Sequence, residues 1–220
     1  MKPSLPVLMS FGGGYVDTAG FLALQGLFTA HVTGNFVTFG ASLVLGTSGA
    51  VAKLMALPVF CIVVFSVRLL DHFLKERGTK SLRVMLTIKC LLFGIAAVLA
   101  VRYGPFHDAG TWQAVLTGMV LVSAMAIQNA IHRVHLGASP PTTLMTGTTT
   151  QIMMDLSDLA LRVPDDEKRL RRNRLSRMLS AVCAFALGCG SAALLFLQIG
   201  MHVFWIPFAL AATLHFLDGE

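Results

Sequence analysis

This chain is short of charge. Of its 220 residues 11 are acidic and 17 are Lys or Arg, 13% in all, about half the share usual in a soluble domain. So few charges cannot cover a water-facing surface, which excludes a soluble globular domain. The net charge of +6 does not imply a nucleic-acid partner, because the cations fall in short blocks between apolar runs, and a basic nucleic-acid face needs a soluble surface. Cysteine is sparse and unorganised. Cys61, Cys90, Cys183 and Cys189 lie in apolar segments with no CxxC pair and no histidine at metal spacing, so they read as small hydrophobes rather than as a disulfide framework or a zinc site. Ser123 and Ser139 stand in no GxSxG context, and neither a cysteine nor a carboxylate completes a zinc set with His132 and His135. No enzyme, cofactor or metal is therefore expected. No cleavable signal is expected either, since the apolar stretch after Lys2 runs too long and has no clean small-residue cleavage site.

What is present is hydrophobicity. At 55% hydrophobic residues and a mean hydropathy of +0.72, the chain reads as an all-α integral membrane protein, a single membrane domain over 1–220. Taking about 20 apolar residues per span, clear spans run over Leu54 to Leu70, Val84 to Val101, Trp112 to about Ile131, Leu175 to Leu197 and Val203 to Leu217. Leu5 to Gly46 is twice the length of one crossing, and Trp112 to Leu161 holds a crossing followed by the polar run TTLMTGTTTQ.

Charge decides how these two regions count. Six cations lie between Arg68 and Lys89 and seven between Arg162 and Arg177, and basic loops are cytoplasmic. Each long region then makes one net crossing, with its excess folded as an interrupted or re-entrant helix. The expectation is six net crossings with both termini cytoplasmic; Asp218 and Glu220 do little to orient the C-terminus.

An internal echo divides the chain the same way. His31-Val32-Thr33-Gly34-Asn35 is matched by Leu144-Met145-Thr146-Gly147-Thr148, and upstream Tyr15-Val16-Asp17-Thr18-Ala19 by Ile127-Gln128-Asn129-Ala130 with one residue of slack. Two pseudo-repeats, 1–105 and 112–220, would each make three crossings. An odd number sets the second upside down relative to the first, the plan of many secondary transporters.

The residues that could carry function follow from cost. Asp17 at membrane depth costs about 2.5 to 3.5 kcal/mol unless protonated, paired or hydrated, which makes it a candidate proton or sodium site; the alternative is that it lies close enough to the cytoplasmic face to meet water. Thr33-Gly34-Asn35 and Thr146-Gly147-Thr148 could break and cap a half-helix, whose N-terminus suits an anion or polar solute, or else form close helix crossings. Gln128, Asn129 and Gln151 add hydrogen-bonding groups for a polar pathway. His31, His132 and His135 read as hydrated or singly bonded residues at segment ends. Pro140-Pro141 stops the second helix, and the small-residue pairs Ala184/Gly188 and Ala186/Gly190 read as helix packing.

Gly14-Tyr15-Val16-Asp17, Val32-Thr33-Gly34-Asn35, Gln128-Asn129-Ala130 and Met145-Thr146-Gly147-Thr148 together resemble the YoaK-like family of bacterial membrane proteins, a domain of unknown function. The resemblance covers essentially the whole chain and implies a bacterial inner-membrane protein of about six spans, without a substrate or established site residues. The expected function is a transporter or channel for a small polar or anionic solute, either uncoupled or coupled to protons or sodium. A non-transporting scaffold or sensor is the alternative. The lipid bilayer and a small solute are the expected partners, with homo-oligomerisation left open and no nucleic acid.

Overall fold

The structure, a computed structural model, describes residues 4–161 and 164–217. Arg162 of the second basic block, and Asp218 and Glu220, lie outside the described residues. The described chain is helical: α1 (Leu5–Ala23), α2 (Gly34–Leu45), α3 (Ala50–Glu76), α4 (Ser81–Tyr103), α5 (Trp112–His135), α6 (Met145–Ala160), α7 (Asp165–Ile199), a 3-10 turn (Gly200–Phe204) and α8 (Trp205–Leu217). Four helical stretches are long and apolar enough to cross a membrane: α3, α4, α5, and Glu167–Thr213, which joins α7 to α8. All five clear apolar spans fall on these helices, except that Val203 and Phe204 belong to the 3-10 turn.

The outside of the bundle is apolar. Val37, Val44, Phe65 and Leu197 are 67–86% exposed, and in water a continuous surface of this kind is a patch for aggregation. Hydrocarbon is the solvent it fits. The inside is built for close contact, because helices in lipid associate through packing rather than through a hydrophobic drive. α5 is the most enclosed of the long helices. It packs on α3 and α4, while α1 lies along α7 and α4 along α8. Tyr15, Val16, Leu24, Leu27, Phe93, Leu121, Met125 and Phe204 fill one core; Met9, Met85, Leu86, Ile127 and Ile131 fill a second.

Glycine makes the α1–α7 approach possible. A Cβ on Gly14 would lie 2.1 Å from the Phe185 carbonyl oxygen, and one on Gly188 2.1 Å from that of Phe11. Of the two small-residue pairs in α7, Ala184 and Gly188 are the buried ones. Ala186 and Gly190 are exposed, with open space around a Cβ at 190, so that pair does not pack as expected.

The bundle has two distinct ends. At one, Gln25 Nε2 donates to the carbonyls of Phe106 (3.2 Å) and His107 (2.5 Å), and Ser48 Oγ both donates to Gln25 Oε1 (2.6 Å) and accepts from Ala109 N (3.0 Å). These bonds tie together the turns after α1 and α2 and the 104–111 connection. At the other end Asp71 is fully buried. It accepts from Arg68 (2.9 Å), Lys75 (2.8 Å) and Ser81 (2.7 Å) and lies 3.5 Å from His135. There also Asp155 pairs with Arg174, and Arg171 with Asp158 and Glu167.

One cation departs from the expected loops. Lys89 sits more than two turns into α4 and is buried. Its Nζ donates to Gln128 Oε1 at 2.6 Å and lies 5.5 Å from the Phe93 ring centre.

Candidate functional site

The first break is made by backbone. α1 stops at Ala23, Gln25 and Gly26 take positive φ (50° and 89°), and Gly26 N donates to Phe21 O at 2.9 Å. Such a left-handed ending is a helix stop that glycine makes cheap. The chain then runs back along the helix it has left. Gly20 admits it there, since a Cβ would come 2.7 Å from Thr29 Cγ2.

Asp17 anchors the returning strand of chain. Its Oδ1 accepts from Thr29 N (2.8 Å), Ala30 N (2.7 Å) and Thr29 Oγ1 (3.4 Å), and its Oδ2 lies 2.5 Å from His31 Nδ1. The carboxylate is 5% exposed, and these partners meet the pairing that a buried charge requires. Asn35 secures the same loop from the other side, accepting from Phe28 N (2.8 Å) and donating to Phe28 O (2.7 Å). Thr33 occupies the N-cap position of α2 but makes no side-chain capping bond. The expected capping by Thr or Asn is thus not used: the first amides of α2 turn back on His31, Val32 and Thr33 carbonyls, and Asn35 braces the loop instead.

The second break follows α5. His132 Nε2 lies 3.0 Å from Ser139 O, Pro140-Pro141 prevents the helix from resuming, and Thr142 and Thr143 return alongside α5. Gln128 Nε2 donates to Met9 O (2.8 Å) and Thr142 Oγ1 (3.3 Å), while Thr143 Oγ1 donates to Asn129 Oδ1 (2.8 Å). α6 then begins after Leu144, an N-cap residue without a capping side chain. The amides of Met145, Thr146 and Gly147 donate to no acceptor among the described residues. The N-terminus of α6 is open where that of α2 is closed.

The two loops meet across α1. A Cβ on Gly13 would lie 2.7 Å from Thr142 O. Beyond that contact, a cavity of about 610 Å³ is lined by Asp17, His31, Thr33 and Gly34 from the first half, by Leu144 and Thr146 from the second, and by Phe185 and Cys189 of α7.

Of the residues singled out from sequence, Asp17, Thr33, Gly34 and Thr146 therefore line one cavity. Asn35 and Gln128 are buried braces. Asn129 lines a separate cavity of about 670 Å³ with Phe60, Arg68 and Arg133. Gly147 is exposed with open space around it. Thr148 is buried with its hydroxyl on Leu144 O at 3.3 Å, and Gln151 donates to Asp155 (2.9 Å), away from the cavity. His31 and Lys89 are the residues that sequence reasoning undervalued. The separation of 14 residues between Asp17 and His31, repeated in Gln128–Thr142 and Asn129–Thr143, is the signal that could have found the first. Among the described residues no group of three or more His, Cys, Asp or Glu could hold a metal.

No curated protein and no solved structure gives a match to this chain. A family match covers residues 5–217 and carries the description of a protein of unknown function, DUF1275, in agreement with the motif resemblance to YoaK-like proteins. From its N-terminal helix to α8, the chain belongs to the DUF1275 family.

Proposed function

We propose that the protein is a small transporter or channel of the bacterial inner membrane that passes a small polar or anionic solute through the cavity between the two breaks. The observation that carries this reading is the convergence of both loops on one cavity, with Asp17 and His31 on one wall and the open N-terminus of α6 on another. Free amides and the positive helix end suit a carboxylate or another anion.

In this reading α1, α3, α4, α5, α7 and α8 cross the bilayer, α2 and α6 are re-entrant, and both termini are cytoplasmic. The basic end with Arg68, Lys75, Arg171 and Arg174 faces the cytoplasm. Inverted repeats account for the packing. If α1 to α4 correspond to α5 to α8, the α1–α7 contact has its counterpart in α5–α3 and α2–α3 in α6–α7, while α4–α8 joins an equivalent pair. The shared 14-residue clamps support the same correspondence. One observation favours the alternative of a non-transporting scaffold: Asn35 and Gln128 are spent on bracing loops.

The test is a filled cavity. Thr146 is exposed and makes no bond across the bundle, so Thr146→Trp should fold with an unchanged melting temperature. In proteoliposomes it should lower acetate, formate or glycerol flux at least tenfold, and flux by wild-type protein that is indifferent to this blockage overturns the proposal.

A further inference from the structure

We infer that His31 is the group that exchanges a proton with the cavity, and that Asp17 is its positioning residue; the inference rests on the cavity being the solute site. Asp17 Oδ1 is occupied by two backbone N–H donors, as a carboxylate requires, with the Thr29 hydroxyl 3.4 Å from both it and Val16 O. Its Oδ2 takes the remaining donor, His31 Nδ1, at 2.5 Å. A carboxylate on one ring nitrogen fixes the tautomer and leaves the other nitrogen for chemistry. Here that other nitrogen is Nε2, which has no protein partner among the described residues, on a ring that lines the cavity with 30% of its side chain accessible. Phe28 (6.2 Å between centroids) and Phe185 (5.7 Å) meet the ring in T-shaped contacts.

The proton count is simple. With Nε2 bare, the pair is a neutral imidazole and a carboxylate; a proton from water on Nε2 makes an imidazolium, and the pair becomes neutral overall. No other bond changes, and the same proton leaves from Nε2. Protonated, Nε2–H donates into the cavity beside the open amides of α6, so the class of solute it recognises is a small carboxylate or another anion, carried with one proton. The titratable groups facing His31 are Asp17 of α1 and the Cys189 thiol of α7; α2 and α6 contribute Thr33, Gly34 and Thr146, which are uncharged.

Two measurements test this on full-length protein in nanodiscs. In histidine labelled with ¹⁵N, assigned by loss of the signal in His31→Gln, the neutral ring of His31 should carry its proton on Nδ1 and take up a second on Nε2 as pH falls. Asp17→Asn keeps an oxygen for Thr29 and Ala30 but turns an amide N–H toward Nδ1, and should move the proton of the neutral ring to Nε2. A wild-type ring protonated on Nε2 when neutral, or one that does not titrate, overturns the inference without any reference to transport. In proteoliposomes, acetate flux should fall with rising pH by up to about tenfold per unit, and His31→Gln should flatten that slope to less than about twofold. An unchanged slope in His31→Gln overturns this role for His31 while Thr146→Trp still reports on the cavity. If Thr146→Trp leaves flux intact, the pathway fails, and the ring titration still decides whether His31 exchanges protons there.

Discussion

Gly188→Ala is expected to separate α1 from α7 and to leave little folded protein. The added methyl would lie 2.1 Å from Phe11 O and 2.9 Å from Tyr15 N, both backbone atoms. A side chain could rotate away from such a clash; a helix backbone moves only as a whole. Overpacking usually costs about 1–3 kcal/mol, and here relief requires parting the most extensive helix contact in the bundle, so a loss of at least about 3 kcal/mol is expected. Gly14→Ala meets the Phe185 carbonyl in the same way and should behave alike. Gly190→Ala, two residues away on the open face, should fold normally and supplies the control. Unfolding midpoints in detergent check the set, and equal midpoints for Gly188→Ala and Gly190→Ala would show that α1 does not seat on Gly188.

Gln128→Leu carries the second large effect. Gln128 gives Lys89 Nζ its one hydrogen-bond acceptor among the described residues, and its amide nitrogen serves Met9 O and Thr142. Leucine leaves a buried amine against hydrocarbon, and breaking a buried polar pair from one side costs about 3–5 kcal/mol. Lys89→Met removes the amine together with its need and leaves only the Gln128 oxygen unpaired, for which about 1–3 kcal/mol is the expected cost. The double variant should recover at least about 2 kcal/mol relative to Gln128→Leu, because residues in direct contact do not add. A thermodynamic cycle from denaturation midpoints measures this, and strict additivity would refute the pairing.

The breaks were legible in sequence because their causes are local. The Pro140-Pro141 pair acts through the backbone of its own segment, and the excess length of two apolar regions could be counted, although the residues that turn the chain at the first break, Gln25 and Gly26, were not picked out. Lys89 was not legible. It lies six residues from Arg83 in a basic run, and its partner is 39 residues away on α5, so nothing near it distinguishes a buried amine from a loop charge. Asp17 was recognised as costly, yet its solution, two amides and an imidazole brought back by a turn at Gln25 and Gly26, exists only once the chain has folded back. Glycines were similarly ambiguous. Gly188 and Gly190 look alike in sequence, and only the position of α1 separates them.

α7 is a single unbroken rod of 35 residues, about 52 Å at 1.5 Å per residue, against about 30 Å of hydrocarbon. The same rod presents Arg171 and Arg174 at its first turns and Phe185 and Cys189 to the cavity. Gripped at one end by the carboxylates of α6 and seated on Gly14 at the level of Phe185 and Cys189, it ties the basic end of the bundle and the wall beside His31 into one continuous helix, so the ion pairs with α6 and the glycine contact with α1 together fix where that wall stands.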